Sequence, residues 1–454
     1  MSRILIISDD VVGKRMAGIA IRNWEYARIL SREHRVTLAI PGRTDLPPQR
    51  FDLVPYSAST LRRLAGATDT IILSGLTLAQ YPFLRTSGAP LVVGLSHSFV
   101  LENLQLFAHR DLDFRLRDHT TLIRVLNDLL LAGDFFVCNS ERQRDYWLGM
   151  LAALNRINPV SFADPTLRSL IDVVPFGLPD DPPIQRRPVL KGVHPGIGRD
   201  DFVAYWGGGI YNWLDPLTLI RATARMAAED ARLKVFFAAT QHPNPRVHVM
   251  KMISDACKLS DELGLTGRQV FFNDWVPYKE RENYLLEADV GISLHLEHLE
   301  TRYAFRNRLL DYIWARLPVI ATEGDTAADL VRQHDLGWVV GYESVSHVAH
   351  ALREAMANAG LRESYASRFA AVAEQFRWSE TIEPLARFCT HPHVAPDKLV
   401  FAPHEDKPEE RLSSIASPWS LRIAKGWQLL RRKGPIALWH EIRAYANWRW
   451  GARG

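Results

Sequence analysis

Cysteine is scarce in this chain: Cys138, Cys257 and Cys389 are the three among 454 residues, and they lie far apart. Their spacing fits neither a zinc site nor a disulfide framework, which favours a reducing compartment. Long apolar runs are also missing, since no stretch reaches the roughly 18 residues that a membrane-spanning helix needs. The apolar start of the chain is too short for a signal-peptide core. The sequence therefore predicts a cytoplasmic protein that is not integral to the membrane.

A large excess of one charge is absent as well, because the formal net charge is +4 at pH 7. This balance does not predict a nucleic-acid partner. The chain contains no Walker A motif and no nucleophile elbow. No histidine or cysteine group has metal-ligand spacing, so we predict no bound metal and no cofactor. Asp111 and Asp113 form an Asp-x-Asp motif, which we interpret as part of a solvated helix face.

What the chain does contain is a regular alternation of short apolar runs with longer amphipathic segments. This pattern is typical of parallel sheets covered by helices on both faces. A length of 454 residues suggests two such units and an extension. The strands predicted in the first unit are Arg3–Ser8, Val36–Ile40, Thr70–Leu73, Leu91–Leu95, Phe135–Cys138 and Asp172–Val174. Those predicted in the second are Phe202–Trp206, Leu233–Ala238, Val270–Phe272, Val290–Leu294, Val319–Ala321 and Gly337–Val340.

A proline-rich break at residues 179–195 separates the two units. The predicted segments are an N-terminal domain at 1–182, a linker at 183–200, a C-terminal domain at 201–375, a closing helix at 376–390, a second linker at 391–412 and a helical tail at 413–454. The predicted fold class is α/β, with two doubly wound Rossmann-like domains that face a central cleft. Because ligands of such sheets bind outside the carboxyl ends of the strands, the cleft is the predicted site.

The most informative segment extends from Ala288 to Thr322. A strand at Val290–Leu294 leads into a polar loop, a helix starts near Asn307, and Pro318 begins another apolar strand. The amino end of that helix offers free N–H groups and the positive end of a dipole, which suits a phosphate. The segment therefore predicts a phosphate-binding site at the start of the helix.

Charged side chains surround this predicted phosphate site. Planar guanidinium groups suit a diphosphate, and an acid about one turn into the helix is placed to accept hydrogen bonds from ribose hydroxyls. The donor-binding residues predicted here are Arg302, Phe305, Arg308 and Asp311, with Arg306 as a catalytic residue. Together they indicate a nucleoside diphosphate as the ligand.

In order and spacing, the segments VFFNDWVPYKERENYLLEAD, ADVGISL and LLDYIWARLPVIAT resemble the signature of glycosyltransferase family 4. The resemblance implies a GT-B fold and metal-independent, retaining transfer of a sugar from a nucleoside diphosphate sugar. It implies that Asp311 replaces the ribose-binding glutamate, and that Glu300 is the catalytic first glutamate of the family's Glu-x7-Glu pair. Two departures make the role of Glu300 depend on a longer loop: the second acid is aspartate, and it follows Glu300 by eleven positions rather than eight. Tyr303 occupies the position eight before Asp311.

The segment YWGGGIYNWLDPLTLIRA opens the second unit with a glycine triplet that permits close approach of a ligand to the backbone. Family members usually carry an Arg and a Lys here to bind the diphosphate, whereas this chain has Tyr211 and Trp213. We predict Gly208, Gly209 and Tyr211 as donor contacts, with the arginines of the later segment supplying the charge. The alternative is a tight turn with Trp213 packed in the core.

Four further positions complete the predicted site. The loop DDVVGKRMAGIAIRNW resembles the family's glycine-bearing loop, which makes Gly18 a donor contact and Arg22 an acceptor contact; a structural role at the helix entry is the alternative. This loop lacks the GxGxxG spacing of a nicotinamide oxidoreductase. His97 follows a strand where the family often has a histidine near the transferred sugar, so it is a catalytic candidate, with a structural role as the alternative. Trp275 is a predicted donor contact in the region expected to recognise the base.

The tail combines tryptophan with basic residues. From Arg411 to Gly454 there are nine Lys or Arg residues against one acid, Glu441, and five of the 13 tryptophans lie there. Basic helical faces with tryptophan suit an anionic membrane surface. The alternative is an extension packed on the protein's own N-terminal domain or in a dimer.

The sequence as a whole predicts a hexosyltransferase-type enzyme of cell-surface polysaccharide synthesis. Its predicted partners are a nucleotide sugar as co-substrate and a glycan or polyprenyl-linked acceptor. Peripheral association with the inner face of the membrane would fit a lipid-linked acceptor. The rival interpretations are a non-hydrolysing sugar-nucleotide epimerase and a noncatalytic relative that binds nucleotide or glycan.

Overall fold

A computed structural model describes residues 1–247 and 249–400. The tail predicted at 413–454 and the later part of the linker predicted at 391–412 lie outside the described residues. In the part of the chain that is described, no helix is long and apolar enough to cross a membrane.

The N-terminal domain is built on one parallel sheet. Its strands are β1 (Arg3–Ile7), β2 (Arg35–Ile40), β3 (Asp52–Pro55), β4 (Thr70–Ser74), β5 (Leu91–Gly94), β6 (Phe135–Cys138) and β7 (Ile171–Val173). The strand order is β3-β2-β1-β4-β5-β6-β7. The central strand β1 is apolar and buried at residues 4–7 because helices cover both faces. Ile4 is in parallel register with Val36 on one side and Thr70 on the other.

The C-terminal domain repeats this architecture. Its strands are β8 (Phe202–Gly209), β9 (Leu233–Ala239), β10 (Val270–Phe272), β11 (Val290–Ser293), β12 (Val319–Thr322) and β13 (Gly337–Val340). They form a six-stranded parallel sheet in the order β10-β9-β8-β11-β12-β13. In both sheets the strand order reverses beside the first strand, which is the point where doubly wound sheets bind ligands.

Helices cover the two sheets. Those of the N-terminal domain are α1 (Gly18–Leu30), α2 (Ala58–Ala65), α3 (Thr77–Gln80), α4 (Phe99–Leu106), α5 (Leu112–Ala132) and α6 (Glu141–Ala153). Those of the C-terminal domain are α7 (Pro216–Ala227), α8 (Lys251–Glu262), α9 (Arg281–Glu287), α10 (Leu299–Tyr303), α11 (Arg308–Trp314), α12 (Thr326–His334), α13 (Val345–Ala357) and α14 (Leu361–Ala373). The predicted α/β class with two doubly wound domains is confirmed.

The chain then returns to the N-terminal domain through α15 (Trp378–Thr381), α16 (Glu383–Thr390) and α17 (Pro396–Val400). The closing helix predicted at 376–390 is thus divided into two short helices, because Pro384 has no N–H with which to continue α15. Helix α17 occupies part of the segment predicted as a linker. It is held by a buried ion pair of 2.5 Å between Arg156 and Asp397.

Two other elements differ from the sequence prediction. The glycine triplet forms the last residues of β8 rather than a loop after it, with an irregularity in the strand pairing between Trp206 and Gly209. Helix α5 begins at Leu112, so Asp111 of the Asp-x-Asp motif precedes the helix instead of lying on its face. Asp111 caps it by accepting a hydrogen bond of 2.8 Å from the backbone N–H of Phe114, so the Asp-x-Asp motif begins a helix.

Candidate active site

The cleft is bridged by hydrogen bonds between the two domains. The amide of Asn244, after β9, donates to the Asp10 carboxylate after β1 at 2.8 Å. The amide of Gln143, in α6, donates to the carbonyl of Tyr303 in α10 at 2.9 Å. These bonds join the carboxyl end of β1 and the start of α6 to the C-terminal domain.

The glycine triplet at the end of β8 presents its backbone to this cleft. The N–H of Gly207 donates to the Tyr312 hydroxyl at 2.9 Å, and that hydroxyl lies 2.8 Å from the carbonyl of Ile292. Gly208 is exposed with a φ of +70°, and a Cβ built on it would meet no heavy atom of the described residues within 4 Å. Since only glycine adopts this conformation freely, the position keeps a stretch of backbone open to a ligand.

Arg308 lies beside the triplet as a cation without a carboxylate partner among the described residues. It donates a hydrogen bond of 2.9 Å to the Gly209 carbonyl, and its guanidinium carbon lies 4.7 Å from the ring centroid of Trp206. Its Nη1 is buried and has no hydrogen-bond partner in the described part of the chain. Burial lowers the pKa of Arg308 to about 10, so the side chain still carries its charge at neutral pH. A buried, unpaired guanidinium is stabilised when an anion binds beside it.

Glu300 and Arg306 form a buried pair in the polar loop. Arg306 donates two hydrogen bonds to the Glu300 carboxylate, at 3.1 and 2.8 Å. Burial raises the pKa of Glu300, and the charge of Arg306 opposes that rise. Burial would lower the pKa of Arg306, but the Glu300 and Asp325 carboxylates outweigh this effect and raise it. The structure therefore joins two of the three predicted catalytic residues in one charged unit.

Two histidines extend this unit. Nε2 of the buried His295 lies 3.3 Å from the Asp325 carboxylate, and Nδ1 of His298 lies 3.7 Å from that of Glu300. Burial and the charge of Arg306 lower the pKa of His298 to about 4, which keeps this histidine neutral at pH 7. Sequence reasoning missed His295 and Asp325 as part of the site. Their positions in the sequence could have indicated the site, since each residue follows an apolar strand of the C-terminal sheet, where ligands bind.

Asp311 pairs with Arg281, which sequence reasoning also missed. Arg281 Nε donates to the Asp311 carboxylate at 2.9 Å, and its guanidinium carbon lies 3.9 Å from the ring centroid of Tyr278 and 4.7 Å from that of Trp314. The Asp311 side chain remains 35% exposed, which leaves room for a ligand hydroxyl. Its role as the ribose ligand stays a prediction.

Gly18 begins α1 and faces the C-terminal domain. A Cβ built on it would lie 3.3 Å from the side-chain amide nitrogen of Asn307. Arg22, one turn later, is buried and donates to the Tyr26 hydroxyl at 2.8 Å and the Val174 carbonyl at 3.0 Å. Protein groups thus occupy its guanidinium, which favours the structural alternative, and its acceptor role stays a prediction.

His97 follows β5 and lies next to the same region of the cleft. Its Nδ1 is 3.2 Å from the Glu102 carboxylate, and both side chains are partly buried. Burial lowers the pKa of His97, but the Glu102 carboxylate outweighs burial, so the pKa lies above its ordinary value. His97 and Gly18 line one small cavity, together with Asn307 of the C-terminal domain. The structure therefore brings these two predicted residues together.

Aromatic side chains occupy the other predicted donor positions. Tyr211 stacks on Trp213 with ring centroids 5.1 Å apart and an interplanar angle of 9°. Burial raises the pKa of Tyr211 to about 12, so its hydroxyl is a neutral hydrogen-bond donor. Trp275 packs against His242 at 5.5 Å, and Phe305 packs partly buried against the core. Their roles as donor contacts stay predictions.

Arg302 lies elsewhere than the sequence pattern suggested. It lines an open cavity of about 670 Å³ with Arg142 of the N-terminal domain and Tyr342, which follows β13. None of the triplet glycines lines that cavity. Three arginines were predicted at the diphosphate. In the structure Arg308 lies beside the glycine triplet, and Arg306 is paired with Glu300. Arg302 lines the separate cavity.

Sequence reasoning also missed two acids after β1. Asp10 makes the interdomain bond to Asn244. Asp9 has a buried carboxylate oxygen, Oδ1, without a hydrogen-bond partner among the described residues. Burial and the neighbouring charge of Asp10 raise the pKa of Asp9 to about 7.

Among the described residues, no group of three or more His, Cys, Asp or Glu side chains is arranged to hold a metal ion.

The C-terminal domain matches a known family. Residues 203–358 match the model of the group 1 glycosyl transferases. The match starts in β8 and includes both the glycine triplet and the Glu300–Arg306 pair. No curated protein has a matching sequence.

Solved structures share the whole two-domain architecture. Sucrose-phosphate synthase from Thermosynechococcus elongatus has a TM-score of 0.57 and 15% identity, and the match covers 86% of this chain and 98% of that one. Anabaena Alr3699/HepE in complex with UDP and glucose has a TM-score of 0.57 and 14% identity, covering 86% and 100%. WaaG, a glycosyltransferase involved in lipopolysaccharide biosynthesis, has a TM-score of 0.56 and 16% identity, covering 86% and 100%.

The fold is therefore GT-B, the class in which two Rossmann-like domains face a cleft. The family match specifies it further: the C-terminal domain is a group 1 glycosyl transferase domain, and the chain is a glycosyltransferase. The resemblance to family 4 on the segments between Val270 and Thr322 is confirmed.

Proposed function

We propose that this enzyme transfers a hexose from a nucleoside diphosphate sugar to a glycan or lipid-linked acceptor, with retention of configuration and without a bound metal. The observation that carries the proposal is Arg308, a buried cation beside the open backbone of Gly208 and Gly209, whose Nη1 has no hydrogen-bond partner among the described residues. A diphosphate between them would receive hydrogen bonds from both. The position in the cleft, at the carboxyl end of β8, is where such sheets bind nucleotides.

The chemistry requires stabilisation of the charge that develops on the departing diphosphate. The bond between the sugar's anomeric carbon and the diphosphate oxygen breaks, while the acceptor oxygen bonds to that carbon from the same face. The acceptor proton passes to an oxygen of the leaving diphosphate. Arg308 supplies positive charge where the negative charge accumulates, and a preorganised site costs no reorganisation at that moment.

Uridine diphosphate is the first nucleotide to test, because a similar structure binds UDP and glucose. Asp311 would accept hydrogen bonds from the ribose, and the region of Trp275 would contact the base. Another similar structure belongs to a glycosyltransferase involved in lipopolysaccharide biosynthesis, which supports a cell-surface polysaccharide as the product.

The test has a binding step and a turnover step. Thermal unfolding with UDP, GDP and ADP should show stabilisation by one of them, which Arg308→Ala removes and Arg308→Lys partly retains. Arg63→Ala, an exposed arginine on α2, is the matched control. Turnover of nucleotide sugars should release the nucleoside diphosphate, and NMR of the product should show the anomeric configuration of the donor. Binding without transfer or hydrolysis would indicate a noncatalytic relative instead, and conversion of the donor to its epimer would indicate an epimerase.

We further propose peripheral membrane association through residues 413–454, on the basic and Trp-rich composition of that segment. Full-length protein should pellet with vesicles that contain anionic lipids, and less so as salt rises. Deletion of residues 413–454 should leave the protein in the supernatant. Equal pelleting of the full-length and the truncated protein would contradict the proposal.

A further inference from the structure

The cavity that contains Arg302 has the size of a small-molecule site. Its volume of about 670 Å³ lies within the roughly 300–1,000 Å³ of ligand pockets. Both domains contribute to its lining, with Arg142 from the start of α6 and Glu297, Leu299 and Tyr342 from the C-terminal domain. No residue of the glycine triplet lines it, and neither does Arg308.

The charges around this cavity largely cancel. Arg142 is paired with Asp329 at 2.5 Å, and Glu297 lies on the same lining as Arg302. His298, which also lines the cavity, is neutral at pH 7 because burial and Arg306 lower its pKa to about 4. An anionic ligand would therefore find little net positive charge, whereas a neutral ligand with many hydroxyls would find both donors and acceptors.

The lining suits the two faces of a sugar ring. Arg142 and Arg302 donate hydrogen bonds, Glu297 accepts them, and the Tyr342 hydroxyl does either. Leu299 is 57% exposed and supplies an apolar contact for ring C–H groups, as does the ring of Tyr342.

Tyr342 is placed in the cavity by a neighbouring glycine. Gly324, after β12, has a φ of +104°, and a Cβ built on it would collide with the Tyr342 hydroxyl. A side chain at this position would therefore displace the tyrosine. The ring of Tyr342 also lies 5.8 Å from that of His295, which connects the cavity wall to the buried charged unit.

The cavity adjoins the residues proposed to act at the sugar. Leu299 and Arg302 belong to the same short helix, α10, as Glu300. His298 lines the cavity and also lies 3.7 Å from the Glu300 carboxylate. His298, the residue before α10, is thus near both a ligand in the cavity and the Glu300–Arg306 pair.

We propose that this cavity is a saccharide subsite that holds neutral sugar units of the acceptor beside the donor site, with Arg302 and Tyr342 as its main contacts. The proposal rests on the proposed transferase function. It assigns Arg302 to the acceptor rather than to the diphosphate. Because both domains line the cavity, an acceptor bound there also holds the domains together at the Arg142–Asp329 pair.

The test uses the full-length protein and two sets of probes. The neutral set is maltose, cellobiose, lactose and mannobiose, and the anionic set is glucuronic acid and glucose 6-phosphate. Saturation-transfer NMR should detect binding of at least one neutral disaccharide. Arg302→Ala and Tyr342→Ala should each weaken that binding about tenfold, the effect of losing one hydrogen bond to a charged group or one ring contact. Arg63→Ala on α2 is the matched control and should leave binding unchanged.

Stabilisation by UDP, measured on the same variants, shows that each is folded and keeps its donor site. The proposal is overturned if no neutral disaccharide binds, if only the anionic probes bind, or if binding survives both substitutions. Saccharide binding without any response to a nucleotide would overturn the proposed donor site and leave the subsite standing. A nucleotide response without saccharide binding would overturn the saccharide subsite and leave the proposed donor site standing.

Discussion

Arg306 holds the carboxylate of Glu300 by two hydrogen bonds, at 3.1 and 2.8 Å, and the Glu300 side chain is 1% exposed. The family resemblance implies that Glu300 is catalytic, and in the described conformation this pairing encloses its carboxylate. The pair fixes the loop between β11 and α11, and so determines where Arg308 stands beside the glycine triplet. We therefore expect the pair to position that loop.

Breaking this pair should destabilise the protein strongly. Removal of one partner leaves the other charge buried and unpaired, which typically costs about 3–5 kcal/mol. Arg306→Met should cost more than Glu300→Gln, because Arg306 also lies 3.5 Å from Asp325. Urea unfolding of the single variants and of Glu300→Gln/Arg306→Met should show that the double variant loses less than the sum. Additive losses would mean that the two charges are not energetically coupled.

Substitution of Gly208 should separate donor binding from stability. Alanine at a φ of +70° should cost about 1 kcal/mol of folding free energy and should also place a methyl group over the open backbone. Gly264 is the matched control, since it is exposed after α8 with a φ of +67°, and a Cβ built on it would meet no heavy atom within 4 Å in the part of the chain that is described. Both Gly→Ala variants should lose similar stability in urea, and only Gly208→Ala should lose stabilisation by UDP. Loss of the nucleotide response in both variants would contradict the assignment.

Much of the fold could be predicted from the sequence because its strands are short, continuous apolar runs between helical segments. Phe135–Cys138 and Val270–Phe272 were predicted with the bounds that the structure has. Strand β3 could not be predicted in this way, since it lies at the sheet edge, is partly exposed and ends in Pro55. Helix α10 also escaped prediction, because it is five residues long and interrupts a polar loop.

The sequence predicted the site residues that lie together in one segment of the chain. It did not predict contacts between residues that are far apart in the sequence. Asn307 and Arg308 begin a helix whose start the pattern predicts within one residue. The bond between Arg308 and Gly209 joins residues 99 positions apart, and the interdomain bond between Asp10 and Asn244 spans 234 positions. Such partners are set by the packing of two sheets, for which the local pattern carries no signal.

Asp9 should make stability depend on pH. Its pKa is raised to about 7 by burial and by Asp10, from an ordinary value of 3.8. The folded state therefore binds more protons than the unfolded state between these values, and stability is lost as pH rises from about 4 to about 7. A shift of this size corresponds to a cost on the order of 4 kcal/mol at pH 8. Asp9→Asn should be more stable than the parent at pH 8 and similar at pH 4.

The measurement for Asp9 is urea unfolding across this range. Asp52→Asn is the control, because Asp52 is an exposed carboxylate at the start of β3. The parent protein and the control should share one pH profile, and Asp9→Asn should have a flatter one. Identical profiles for all three proteins would show that Asp9 is not the group that titrates.

Glu102 should set the protonation of His97. Burial alone would lower the pKa of His97, and the Glu102 carboxylate at 3.2 Å reverses that effect. Glu102→Gln keeps the size of the side chain but removes its charge, so the pKa of His97 should fall from above its ordinary value of 6.5 to below it. NMR titration of labelled histidine should report the shift, with the signal assigned by its loss in His97→Gln. His34, whose pKa is lowered by burial, gives an internal control that should not move. An unchanged His97 titration would mean that Glu102 is not its partner in solution.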